Sequence, residues 1–419
     1  MWPFNTPPFF SSLSSNPPSL QQRIRNAAFL HRELAIRIAK RAVDLDTLPF
    51  GLAQTTPIEE ATRTYVGYVE KLVELPAPAD ADTESRFTDL LKSLVLDRLN
   101  IPQRIQMGLA SLKDSRRTPL TEGLHAMETL DTALYEFFLA RVGLRFLVEH
   151  HIASDPRNPE KSQGGLIRKD LDPVQECRAV ADEVIGVLQS KFNTAPAIDI
   201  LVAKTSLEDE DDEEDDDDRI GRKVKYFKEH PNHICYVPSH LRYMVSELLM
   251  NSAQATMRMH QAKRNELGTL SLSDQLPPIK VVVAIGKEDL CIRISDQGGG
   301  ISRKRLDKIY TFAHSTLEDG EVVQEIFPTG LLEPPPADEV KQVRGFGLPL
   351  ARIYARYFGG ELVVKTMEGY GVDAYLHLPV LGTECEHLSD AVENSPGNMT
   401  SAEKEMDSSW EALLAKRAL

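Results

Sequence analysis

Between residue 21 and about residue 192, apolar side chains recur at steps of three and four. Ala27, Leu30, Leu34 and Ile38 share one helical face, and so do Ile58, Ala61, Tyr65, Tyr68 and Leu72. Met127, Leu130, Leu134 and Phe137 repeat the pattern; Val174, Cys177, Ala181, Val184 and Leu188 show it most cleanly. This spacing, with polar residues between, marks amphipathic helices. Clusters of Pro, Gly and Asp at 76–82 and 155–165 separate the segments. Several long amphipathic helices in succession predict a bundle over 23–192.

Beyond Pro196 the rhythm changes to short apolar runs. Strands are expected at 198–202, 224–226, 235–237, 279–285, 290–294, 362–365 and 372–378. Gly286-Lys287-Glu288-Asp289 joins one pair, and Gly369 and Gly371 lie within the turn of another. Helices intervene at about 240–262 and 348–358. This is an α/β domain with a mixed sheet over 193–382, so the fold class is α+β. A polar tail, 383–419, follows, and 408–419 can form one amphipathic helix around Trp410, Leu413 and Leu414.

The formal charge of −15, from 48 Lys+Arg and 63 Asp+Glu, changes this picture only locally. Eleven acidic residues run unbroken from 208 to 218, and without them 52 acidic residues face 48 basic ones, a balance of −4. Like charges in such a run repel and stay solvated, so 206–219 reads as a surface insertion into the second domain. A duplex-binding protein, which needs a basic stripe, is excluded. No stretch approaches the ~18 apolar residues of a membrane span. The four cysteines are far apart, without a CxxC, which argues against a disulfide framework or a zinc site. Residues 1–32 lack Asp and Glu and contain five Ser and three Arg, the composition of a mitochondrial transit peptide or of a Pro-rich tail, with 1–22 as the candidate segment.

Three pieces of the second domain can carry chemistry. The first runs from His240 to Asn251, where Glu247 and Asn251 are four apart and share a helix face, behind Ser239 as a candidate N-cap. The carboxamide oxygen can ligate Mg²⁺, and the carboxylate can polarise a hydroxyl. The second is Asp296-Gln297-Gly298-Gly299-Gly300, a carboxylate at a strand end followed by glycines. Such a carboxylate can accept from the exocyclic amine of adenine, and glycines let backbone approach a ligand and free the next segment to move. The third is Gly345-Phe346-Gly347-Leu348-Pro349, a glycine loop opening a helix whose N–H groups suit phosphates. Each has a bland reading: a surface pair, a glycine turn, a helix start.

In this order and spacing the three resemble the N, G1 and G2 boxes of the GHKL superfamily, with its Bergerat-type ATP-binding sandwich. A helical domain before the ATP domain is similar to the arrangement in kinases rather than in gyrase, Hsp90-type chaperones or MutL. The resemblance extends over about 25–380 to the mitochondrial 2-oxo acid dehydrogenase kinases. It is carried by Phe29-Leu30-His31-Arg32-Glu33-Leu34, by 139–151 with Arg141, Arg145, His150 and His151, by 191–196, and by Tyr354–Gly360 and 367–371. It implies ATP and Mg²⁺ as cofactors and transfer of the γ-phosphoryl to a serine of a dehydrogenase E1α subunit in the mitochondrial matrix. It also implies a homodimer and docking on a lipoyl domain of E2, with no nucleic acid and no membrane span. By the resemblance Glu247 is the catalytic base, Asn251 holds Mg²⁺ and Asp296 reads adenine. Gly298 and Gly300 shape the nucleotide floor, and Ser315, Thr316, Gly345, Phe346, Gly347 and Leu348 complete the cofactor site around a lid at about 301–347.

Four positions depart from the family pattern. Met250 stands for Lys, Gln254 for Arg, Val343 for Gly, and Val372 for a Thr that would contribute a polar contact near adenine. They leave open a non-catalytic ATP-binding adaptor on the E2 core as the alternative. A sensor histidine kinase is a further alternative, but Arg32 separates His31 from Glu33, and His31 reads as a helix-surface residue. The imidazoles of His150, His151, His230 and His233, without a nearby Cys or acidic triad, read as satisfied or exposed rather than metal-bound. Tyr243, four residues before Glu247, stands where pyruvate dehydrogenase kinases carry His and the branched-chain kinase carries Tyr. The choice between the pyruvate and branched-chain complexes stays open.

Overall fold

The computed structural model describes residues 18–97, 101–114, 124–157, 165–203, 233–267, 276–286, 288–306, 308–312 and 345–381. The candidate transit segment up to 17, the acidic run, the strand expected at 224–226, the tail from 383, and Ser315, Thr316 and Val343 lie outside them. The chain divides into two compact units.

The first unit is helical. Helices α1 (Leu20–Asp46), α2 (Thr56–Glu74), α3 (Ala81–Asp97), α4 (Ile101–Asp114) and α5 (Leu124–Ala153) make it up, with α1 against α2, α3 and α5, and α2 against α4. The faces read from the sequence are the buried ones: Ala27, Leu30, Leu34 and Ile38 on α1, and Ile58, Ala61, Tyr65, Tyr68 and Leu72 on α2. Ser19 starts α1 by accepting from the Gln22 amide at 3.3 Å. His31 is half-buried rather than free on the helix surface. Its Nε2 stands 2.9 Å from the carbonyl oxygens of both Leu72 and Leu75, and its ring tilts onto Phe87.

One polar knot interrupts the apolar interior of these helices. Arg23 of α1 pairs with Glu84 of α3 and donates to the His151 carbonyl at 3.2 Å and to Ser154 Oγ at 2.8 Å. Thr88 and His151 complete it, 3.0 Å apart. Buried charges persist only when paired and hydrogen-bonded, as these are.

The second unit contains β1 (Arg168–Leu171), α6 (Pro173–Phe192), β2 (Ile198–Ala203), β3 (Ile234–Tyr236), α7 (Pro238–Leu267), β4 (Ile279–Ile285), β5 (Asp289–Ser295) and the helical turn α8 (Arg303–Leu306). After α9 (Gly347–Tyr357), which belongs to the first unit, β6 (Glu361–Met367) and β7 (Gly371–Pro379) close it. The main sheet has the order β2-β4-β5-β7-β6, with β2 and β4 parallel and the other pairs antiparallel. Alternation puts Ile279, Val281 and Val283 on one face with Leu290, Ile292 and Ile294, followed by Ala374, Leu376 and Leu378. α7 packs on β4 and β5, and α6 on β2 and α7.

The sequence assigns α6 to the bundle, whereas the structure packs it on the sheet domain. Its periodicity shows that one face is buried but not against what. Asp172 caps it, accepting from the amides of Val174 at 2.9 Å and Gln175 at 3.2 Å, with Pro173 in its first turn. Glu176 and Glu183 on α6 then pair with Arg242 on α7. β1 has no counterpart in the sequence reading, because Arg-Lys-Asp-Leu offers no apolar alternation.

Candidate nucleotide-binding site

Helix α7 begins at Pro238, so Ser239 sits inside its first turn rather than at the cap, and its buried hydroxyl finds no partner among the described residues. Further along, Glu247 and Asn251 project one turn apart on one side. Asn251 is exposed. Glu247 keeps part of its surface, yet enough protein surrounds its carboxyl that burial pushes it up to about 7. That value suits a general base at neutral pH. Met250 is buried. Gln254 Oε1 accepts from Arg258 at 3.3 Å.

β5 delivers Asp296 to the sheet end. Its amide donates to the Val372 carbonyl at 2.9 Å, which continues the β5–β7 ladder by one rung. Its side chain is buried, and Oδ1 accepts from the amides of Gly298 at 2.9 Å and Val372 at 3.3 Å. The Ser252 hydroxyl donates to the same carboxylate. Burial raises Asp296, opposed by the hydrogen bonds from Gly298, Ser252 and Val372. A carboxylate has about four lone-pair positions. Three donors from the protein leave it room for one more, such as an exocyclic amine.

The glycine run is pressed between α7 and the β6–β7 turn. A Cβ on Gly298 would stand 2.5 Å from the Ala255 Cβ, and one on Gly300, at φ +73°, would stand 2.3 Å from the Met367 carbonyl oxygen. Gly299 donates to the Tyr370 carbonyl at 3.0 Å and accepts from the Gly369 amide at 2.8 Å. The glycines therefore serve close packing.

The structure brings Glu247, Asn251, Asp296, Gly298 and Gly300 into one unit. Gly345, Phe346, Gly347 and Leu348 open α9 in the other. There Gly345 takes φ +89°, and the Phe346 carbonyl accepts from the Leu350 amide at 2.9 Å. The Phe346 ring is buried edge-on against Phe138 of α5 and Phe312, with centroids 5.7 and 5.1 Å away. Ser252 and Gly371 join the site without having been singled out for it. Ser252 was within reach of helical periodicity, since it falls on the buried face with Leu248, Leu249 and Thr256.

The donor set fits ATP with Mg²⁺. Asp296 offers a buried carboxylate acceptor suited to an amine, and Asn251 offers an exposed amide oxygen. Among the described residues no group of three His, Cys, Asp or Glu could hold a metal. Mg²⁺ needs no such group where phosphates supply most of its ligands. His150 and His151 are engaged: His150 Nδ1 accepts from the Leu166 amide at 3.3 Å, and burial lowers His150 to about 4. No helix among the described residues is long and apolar enough to cross a membrane.

A mixed sheet backed by two helices, with Glu and Asn on one helix and an Asp-glycine loop at the sheet end, defines an ATP-binding domain of the GHKL class. Residues 236–382 match the family described as histidine kinase-, DNA gyrase B- and HSP90-like ATPase, and residues 9–186 match mitochondrial branched-chain alpha-ketoacid dehydrogenase kinase. The mitochondrial pyruvate dehydrogenase (acetyl-transferring) kinase of Arabidopsis thaliana is 31% identical over 372 residues, 88% of this chain and 89% of the relative. Isozyme 4 of Homo sapiens is 30% identical over 390 residues, covering 90% and 84% of the two chains. The Drosophila melanogaster enzyme is 28% identical over 400 residues, covering 91% and 85%. The chain belongs to the mitochondrial 2-oxo acid dehydrogenase kinase family.

Proposed function

We propose that this protein is an ATP-dependent serine kinase of the mitochondrial matrix. Its substrate is the E1α subunit of a 2-oxo acid dehydrogenase complex, pyruvate or branched-chain, which it inactivates. The observation that carries this is Glu247, a carboxyl raised to about 7 one helical turn before Asn251, on the helix that also supports Asp296 through Ser252.

Asp296 accepts the adenine amine, which fixes that end of the nucleotide. Asn251 would offer its amide oxygen to Mg²⁺, and the ion would supply positive charge to offset that of the phosphates. Glu247 accepts the proton of the substrate serine as its Oγ bonds to the γ-phosphorus. The bond from that phosphorus to the β–γ bridging oxygen breaks, ADP leaves, and Glu247 then returns the proton to solvent. Such a reaction asks mainly for positioning and charge neutralisation. Docking on a lipoyl domain of E2 and a homodimer complete the proposal, in line with the family resemblance.

The test is incubation of the purified protein with γ-labelled ATP and each E1. Acid-stable label on an E1α serine, with loss of complex activity, is the expected result. Intact ATP binding with no label on either E1 overturns the kinase reading and leaves the adaptor.

A further inference from the structure

We propose that Thr366 is a positioning residue of the nucleotide site, setting the exit of the glycine run by bonding both backbone groups of Ile301. The inference rests on the reading that Asp296 and its loop hold the nucleotide.

The Thr366 hydroxyl accepts from the Ile301 amide at 2.7 Å and donates to the Ile301 carbonyl at 3.2 Å. One side chain thus does what a neighbouring strand would do for that residue. Thr366 lies on β6, and its cross-strand partner in the register is Val372 of β7. Val372 is the residue whose amide and carbonyl bond Asp296 at the other end of the loop. A single rung of the β6–β7 hairpin therefore holds both ends of Asp296–Ile301. Between these anchors, Gly299 is bonded to Gly369 and Tyr370 in the hairpin turn. The loop wraps the end of the hairpin, and its Asp carboxylate faces α7.

Loss of the hydroxyl leaves the half-buried Ile301 amide without its partner, and the exit of the loop loses its tether. A loop that must be ordered by the nucleotide binds it more weakly. The chemical step is expected to be unchanged, because the Thr366 hydroxyl bonds Ile301 rather than Glu247 or Asn251. Loss of one such bond corresponds to about a five- to tenfold change in an equilibrium constant.

Two substitutions in the full chain separate this role from a structural one. Val is isosteric with Thr and favours strands, whereas Ser keeps the hydroxyl but is the poorer strand former. Calorimetric titration with ATP and kinetics with E1 are measured for the wild type, Thr366→Val and Thr366→Ser, alongside the melting temperature without nucleotide. Thr366→Val is expected to raise Kd and KM for ATP about five- to tenfold with kcat unchanged and melting no lower than that of Thr366→Ser. Thr366→Ser is expected to bind ATP like the wild type despite a lower melting temperature. Wild-type affinity in Thr366→Val, or equal weakening in both variants, overturns the inference. A wild-type protein that binds no ATP overturns the reading of the site itself.

Discussion

A Cβ placed on Gly371 would stand 1.9 Å from the carbonyl oxygen of Asp296. The first residue of β7 thus passes Asp296 at a distance that only glycine permits. Gly371→Ala must push the loop off the sheet end or break the Asp296–Val372 bonds. It is expected to weaken ATP binding more than tenfold, with a stability loss of about 1–3 kcal/mol. Gly369→Ala is the control. Gly369 has φ +83° but nothing within 4 Å of its would-be Cβ. The strain there costs about 1–2 kcal/mol, and no steric clash pushes on the glycine run. Titration with ATP and thermal melting of both variants check this.

Glu247 predicts the acid limb of the rate profile. Burial raises its carboxyl to about 7, so in its proposed role as base it is lost by protonation as pH falls through that value. The kcat/KM is expected to fall about tenfold per unit well below pH 7. Glu247→Gln is expected to keep ATP binding and lose phosphoryl transfer at every pH. An acid limb centred near 4.5 in the wild type would contradict the buried-base assignment.

Much of this was legible in the sequence, and the part that was not has a common cause. Strands β4, β5 and β7 follow from alternation, whereas Glu247, Asn251 and Asp296 were singled out as candidates by residue type and given roles only by the family resemblance. Ser252, Thr366 and Gly371 act on residues 44, 65 and 75 positions away, and no local pattern announces such partners. The same holds for α6, whose apolar face was plain but whose neighbour was not. Phe346 shows the converse: its motif places it in the phosphate loop, and its ring is spent on Phe138 and Phe312.

Glu84 predicts acid sensitivity of the helical unit. Burial alone would raise its carboxyl, but hydrogen bonds from His151, Thr88 and Arg23, with the Arg23 charge, outweigh it and hold Glu84 at about 2. A depressed carboxylate contributes stability above its unfolded value, near 4.3, and that contribution is lost as pH falls through the folded value. The window is therefore about pH 4.5 down to 2. Glu84→Gln leaves Arg23 buried without its counter-charge, at a cost of about 3–5 kcal/mol. Melting curves across pH are expected to show that loss at pH 7 and a flatter acid limb.

His31 separates this chain from a histidine kinase by experiment. Both groups facing its Nε2, the carbonyls of Leu72 and Leu75, are acceptors, so that nitrogen carries a proton and donates. It closes the C-terminal end of α2, where carbonyls lack helical partners. A nitrogen used in this way is not available to attack ATP, and the Phe87 ring covers part of the imidazole. His31→Ala is therefore expected to leave E1 phosphorylation at wild-type level at a permissive temperature, with an acid-stable product. The missing bonds cost about 1 kcal/mol, a fall in melting temperature of about 2–4 °C. Acid-labile phosphate on the wild type that vanishes in His31→Ala would instead make His31 the acceptor and overturn the capping role.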